Sequence, residues 1–239
     1  MYRLYERSKL WFAILWIIVY VVGASITDNV ILGAPKLATW LFLSLLTVSA
    51  ITFLCRYRLN GLYGLCIIKV PAVKFLYFAP LAVLCTVNFW FGLKLQYSLA
   101  ETVCFAGSMV CVGFLEELIF RGFLFRAMEQ DNPKAAVIIS SLTFGIGHLV
   151  NLVNGSGADL LSTLLQVCEA AAFGYLFVVI FCKGKSLVPC IAAHIAINVS
   201  SAFADSGART PLWDSIVAII LCVAAAGYAI WLQKNIQEA

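Results

Sequence analysis

Charge is what this chain has least of. Only 12% of its 239 residues are Asp, Glu, Lys or Arg, whereas a soluble domain carries about 25%. With 63% hydrophobic residues, too few polar side chains remain to wet a globular surface. That excludes a soluble enzyme and reads as an all-α polytopic membrane protein. Histidine is scarcer still, with two residues, His148 and His194. None of the nine cysteines forms a CxxC pair, which argues against a disulfide framework or a zinc–thiolate site. Most lie in apolar runs, where Cys behaves as a small hydrophobe. Internal repeats, low-complexity tracts and soluble insertions are lacking too, so residues 1–239 read as one integral membrane domain. The formal net charge of +4 is no sign of nucleic acid here; its distribution between loops matters more.

What is present is a series of apolar runs, each close to the length that crosses a bilayer. Eight can be drawn, at about 10–26, 38–55, 75–93, 102–125, 135–153, 160–182, 187–203 and 214–232. Gly and Pro punctuate the gaps, among them Gly61, Gly64, Pro133, Gly155, Gly157, Gly184, Gly207 and Pro211. The basic start resembles a signal peptide, with Val22-Gly23-Ala24 as a conceivable cleavage site; we read it as the first transmembrane helix. Basic residues gather at Arg3, Arg7 and Lys9, at Arg56, Arg58, Lys69 and Lys74, at Lys183 and Lys185, and at Lys234. The odd-numbered loops hold Lys36, Lys94 and Arg209. By the positive-inside rule both termini are expected in the cytoplasm. The loop from Arg56 to Lys74 reads as an ordinary connector of that kind, with an amphipathic segment on an anionic leaflet as the alternative.

Against that background a few ionisable residues stand out inside apolar runs: Glu116, Glu117, Arg121, His148, Glu169 and His194. Each costs roughly 3 kcal/mol or more at bilayer depth on insertion scales, so such groups tend to serve function. Glu117 and Arg121 are four apart and share a helix face, which suits an ion pair. Glu116 is rotated by about 100° and is left for chemistry, as a general base. His148 follows the small residues of Phe144-Gly-Ile-Gly-His148-Leu-Val-Asn151, and an imidazole beside a carboxylate can polarise water. His194 and Asn198 share a face and both can donate, as an oxyanion hole requires. Taken singly each has a plainer reading: carboxylates satisfied within the bundle, a core histidine bonded to a carbonyl, a packing contact between helices. Taken together they supply a base, a water-orienting imidazole and two oxyanion donors, enough to hydrolyse an amide without a covalent intermediate.

Two alternatives stay open on the residues alone. Glu116, His148 and His194 form a conceivable zinc set with an open position, although the HExxH spacing is missing. Glu169 and Gln166 suggest a structural or supporting role near Arg121 or a histidine, with a place in a substrate cleft as the alternative, and Asn88 reads as helix–helix glue.

The strings Glu116-Glu117-Leu-Ile-Phe-Arg121-Gly122, Phe144-Gly-Ile-Gly-His148-Leu-Val-Asn151 and Leu187-Val-Pro189 with His194-Ile-Ala-Ile-Asn198 resemble, in order and spacing, the three signatures of the CAAX protease and bacteriocin-processing (CPBP, or Abi) family. The resemblance implies a glutamate-type intramembrane endopeptidase, with about eight helices around a hydrophilic cavity open to the cytoplasm. By matching position it implies Glu116 as base, His148 orienting the water, Glu117 paired with Arg121, and His194 with Asn198 as oxyanion hole. Phe144, Asn151 and Glu169 are expected to support them, and the motif-bearing core spans about 102–203. No cofactor is expected, zinc being the alternative. The expected partners are the bilayer and a peptide or protein substrate, lipidated or membrane-bound, with no nucleic acid. The short chain resembles bacterial relatives, which suggests the bacterial cytoplasmic membrane. Rival classes are a non-catalytic immunity or scaffold protein and, with less support, a proton- or ion-coupled transporter.

Overall fold

The computed structural model describes residues 1–30, 32–75, 78–152, 159–205, 207 and 210–237. The described chain is helical. A short α1 (Tyr2–Arg7) lies beside the first long helix, α2 (Lys9–Asp28), whose start is capped by Ser8 accepting from the Trp11 backbone N–H. Then follow α3 (Leu37–Arg56) and a short α4 (Phe78–Leu84). The long α5 (Leu99–Met128) begins at a capping box formed by Ser98 and Glu101. Asn132 caps α6 (Pro133–Leu152), which has proline at its first position, where its missing N–H costs nothing. Asp159 caps α7 (Leu160–Gly184), whose end turns through Lys185 at φ 52°. The last two are α8 (Val188–Phe203) and α9 (Pro211–Asn235), the latter capped by Thr210.

Six of these, α2, α3, α5, α6, α7 and α9, are long and apolar enough to cross a membrane. The third and seventh expected spans are not. The third breaks into a 3₁₀ turn at Ala72–Phe75, the seven residues of α4 and a second turn at Val87–Phe89. Polar side chains hold it in this broken form: Asn88 Nδ2 donates to the Ile197 carbonyl at 2.6 Å and to Ser200 Oγ at 2.9 Å. The segment is therefore tied to α8, as interhelical glue, rather than to its own helix. At the seventh, α8 runs only from Val188 to Phe203.

Contacts at its two ends define the bundle. At one, Leu187 N–H donates to Gly64 O at 2.8 Å, Lys69 N–H to Gly184 O at 3.1 Å, and Tyr63 OH to Tyr5 OH at 3.2 Å. At the other, Lys36 pairs with Asp28 at 3.0 Å, and Lys94 N–H donates to Phe203 O at 2.9 Å. The first end carries the basic clusters of the N-terminus and of the loop after α3, Arg126 and Lys134 at the facing ends of α5 and α6 with Glu129 and Asp131 between them, Lys183 and Lys185 at the end of α7, and Lys234. The second carries Lys36 and Lys94 against Asp28, Glu101, Asp159, Asp205 and Asp214. Arg209 lies outside the described residues.

Side chains are distributed inside out relative to a soluble protein. On α2, Ile18, Val22 and Ile26 face outward and are half or more exposed, while Phe12, Trp16 and Tyr20 turn inward. On α3, Leu41, Leu45 and Val48 make the same lipid-facing stripe. Lipid tails are as apolar as leucine, so the helices are held by packing, not by escape from water. The tightest packing lies at the basic end. There Phe12, Trp16, Tyr63 and Phe123 are at most 2% exposed. Phe12 and Tyr63 meet the Phe123 ring edge-on, each at 5.0 Å between centroids. Such pairs contribute about 0.5–1.5 kcal/mol each beyond burial. The connector after α3 is part of this plug, since it inserts Tyr63 into the core.

Candidate active site

The site begins with a change of winding in α5. After Glu116 the helix widens into a π-helix over Glu117–Phe125 and returns to α form at Arg126. Such segments are rare and concentrate at functional sites. One carbonyl of the widened stretch is taken up from outside: Ser140 Oγ on α6 donates to Phe120 O at 2.8 Å. Glu117 and Arg121 both lie in it, fully buried, with Nη1 to Oε1 at 3.2 Å. The expected ion pair is therefore present. The guanidinium also lies over the Phe144 ring, 4.0 Å from its centroid, a cation–π contact that strengthens as water is excluded. Gly174 on α7 makes room for it, since a Cβ there would sit 3.1 Å from Nη2.

His194 is where the two glutamates meet. Its Nδ1 is 2.8 Å from Glu117 Oε1, and its Nε2 is 3.4 Å from Glu116 Oε2. Consecutive carboxylates thus grip opposite edges of one imidazole, and Glu116 is less separate from Glu117 than a 100° rotation implies. The other oxygen of Glu116 accepts from Tyr20 OH at 2.6 Å. Gly113 permits the approach of α5 to α8 that this needs: a Cβ on it would lie 2.9 Å from the Ile195 backbone nitrogen.

His148 sits where α6 tightens into its last 3₁₀ turn. Its Nδ1 lies 3.1 Å from the Phe144 carbonyl. A carbonyl only accepts, so Nδ1 carries the proton and Nε2 is left to face the cavity. The Phe144 ring stands edge-on to both imidazoles, with centroids 5.3 Å from His148 and 5.9 Å from His194.

Glu116, His148, His194 and Asn198 all line one cavity of about 430 Å³. A second lobe of about 260 Å³ shares His148, His194 and Asn198, and adds Glu169, Phe173, Phe177 and Leu221. Asn151 and Gln166 line the first lobe and are bonded to each other at 2.9 Å. Glu169 lines the second lobe, and Arg121 has Glu117 as a carboxylate partner. Among the described residues no group of three His, Cys, Asp or Glu is placed to hold a metal ion. The alternative set of Glu116, His148 and His194 does not converge in that way: both ring nitrogens of His194 face carboxylates.

Two contributors escaped the sequence reading. Tyr20 lies in a run with no polar neighbours, and only its spacing of four from Trp16 marks it as inward. Ser140 lies four residues before the Phe144 string and carries no mark of its own. Asn88, read as glue, does bond α8, and it also lines both lobes.

The larger lobe is walled by the later part of α2, the start of α3, the first half of α5, and the ends of α6 and α8. It runs from Phe120 and Glu116 up to Asp28 and Lys36, away from the basic end, where the aromatic plug closes it. Two expectations therefore conflict. The basic end cannot be cytoplasmic while the cavity opens to the cytoplasm.

Residues 98–200 match the family described as Type II CAAX prenyl endopeptidase Rce1-like. They run from the cap of α5 to the last turn of α8 and include every motif quoted above. No curated protein and no solved structure matches the chain.

Proposed function

Since residues 98–200 place this chain in the type II CAAX prenyl endopeptidase Rce1-like family, we propose that it is an intramembrane endopeptidase whose water is activated by Glu116. The observation that carries the reading is His194, held between Glu117 and Glu116 at the floor of a polar cavity that also presents His148 and Asn198. Carboxylate oxygens only accept, so the ring nitrogens of His194 that face Glu117 and Glu116 are its N–H donors.

The reaction follows from these positions. A water held between Glu116 and His148 Nε2 gives a proton to the carboxylate. Its oxygen attacks the carbonyl carbon of the scissile amide. Negative charge moves to the carbonyl oxygen, where His194 Nε2–H and the Asn198 amide donate. The proton on Glu116 passes to the amide nitrogen, the C–N bond breaks, and a carboxylic acid and an amine leave, the acid's proton then passing to the amine. Glu117 and Arg121 hold the imidazole in place, and Tyr20 holds Glu116. The two lobes meet at the histidines, so the scissile bond sits at their junction, with residues on either side in the polar and the more apolar lobe.

The test is hydrolysis of a peptide pool by the purified protein in lipid nanodiscs, read by mass spectrometry. Glu116→Gln or His148→Ala lowers the rate by about 10²–10⁴-fold, the usual worth of a general base or an oriented water, while the fold survives. Full activity in either variant overturns the assignment. Activity that survives exhaustive chelation supports activation by the carboxylate; loss restored by zinc alone would move the chemistry to a metal.

A further inference from the structure

The side of the membrane on which the cavity opens can be read from two independent observations. The first is charge. The connectors after α3 and α7 and both ends of the described chain are basic, the one after α5 is balanced, with Arg126 and Lys134 against Glu129 and Asp131, and the opposite end carries more acid than base. These connectors are short, which is where the positive-inside rule holds. The second is packing. The cavity is walled by the halves of its helices that lie away from the basic end, and toward that end it is sealed by Phe12, Trp16, Tyr63 and Phe123.

Together with the reading of this cavity as a peptidase site, on which the inference rests, we infer that the site opens to the non-cytoplasmic face. Its substrate is then a peptide segment presented from that face, the external stretch of a secreted or membrane-anchored polypeptide, and not the cytosolic tail of a prenylated protein. The reach required follows from α2. Tyr20, which touches Glu116, lies eight residues before Asp28 at the mouth, about 12 Å at 1.5 Å per residue. An extended peptide spans that depth with about four residues. The wall between is neutral and hydrogen-bonding, from Asn88, Ser108, Asn151 and Gln166, and the charges at the mouth, Asp28 and Lys36, are already paired at 3.0 Å. Such a wall suits the backbone of an extended strand and selects for reach, not for charge.

Cysteine labelling tests the orientation. Leu95 at the cavity end and Ile67 at the basic end are 79% and 88% exposed, and each is replaced singly by cysteine. A membrane-impermeant PEG-maleimide is applied to intact cells and to inside-out vesicles, with the parent chain as baseline for its nine cysteines. Leu95→Cys gains one added PEG increment on intact cells, and Ile67→Cys gains it only on inside-out vesicles. Ser25→Cys on the cavity wall follows Leu95→Cys. The opposite pattern, both sites labelled from the same side, or a silent Leu95→Cys on intact cells overturns the inference. The same pattern is expected in Glu116→Gln, so a chain that cleaves nothing still reports its orientation. A chain that cleaves peptides but labels the other way keeps the proposed function and loses this inference.

Discussion

Removing one oxygen atom, in Tyr20→Phe, separates a working Glu116 from a merely buried one. The ring stays, and with it the inward packing of α2. What goes is a hydrogen bond of 2.6 Å from Oη to Glu116 Oε1, a length typical of a hydroxyl donating to an ionised acceptor. Bonds to charged groups contribute about 1.5–3 kcal/mol. If that bond holds the base in its attacking position, the loss appears in kcat as a fall of about 10–150-fold, at 1.4 kcal/mol per decade. Because Oε1 lines a cavity that admits water, the fold is retained. The assay is peptide cleavage in nanodiscs with kcat and KM separated, repeated in the Glu116→Gln background. A positioning role predicts that Tyr20→Phe costs nothing further once the carboxylate is gone, the signature of coupling in a double-mutant cycle. A Tyr20→Phe protein that turns over like the parent refutes the reasoning, as does an equal loss in both backgrounds.

Arg121→Met strands the buried Glu117 charge and lowers stability by about 3–5 kcal/mol, read by denaturant titration in detergent; an unchanged midpoint contradicts the ion pair. Gly113→Ala forces α5 off the Ile195 backbone, 2.9 Å from the new Cβ, and so displaces His194: cleavage collapses while helix content by circular dichroism persists. Gly227→Ala on α9 meets nothing within 4 Å; it is neutral or stabilising by about 0.5–1 kcal/mol and leaves cleavage intact. Asp159 is held below the ordinary carboxylate range by its bond with the Ser162 hydroxyl and then by the Ser162 N–H. Its folded value thus lies under the unfolded one, so its capping is complete above about pH 4 and fades as pH falls through the folded value. Amide exchange in the first turn of α7 rises over that interval, and in Asp159→Ala the rise with acidity disappears.

The membrane class and most of the helices were legible because hydropathy and length dominate lipid-embedded structure. The third span was not, because a window over 75–93 averages away the single Asn88 that fastens this stretch to α8. The Glu117–Arg121 pair could be read since four-residue spacing keeps a shared face even in a widened helix. The widening itself left no trace in residue type; it goes with the Phe120 carbonyl accepting from Ser140 on another helix. Tyr20 contacts Glu116 across 96 positions of chain, and no local pattern carries a contact of that range. The meeting of both glutamates at His194 was hidden for the same reason, being made only when α5 and α8 close over Gly113.

The aromatic plug turns the cavity into a blind well. A polypeptide cannot be drawn through it from one side of the bilayer to the other, so it must dip in as a free end or a tight loop and withdraw by the way it came. Both products of a cut leave on the side where the substrate arrived. The well can therefore trim or release, but it cannot feed a chain forward from one cut to the next.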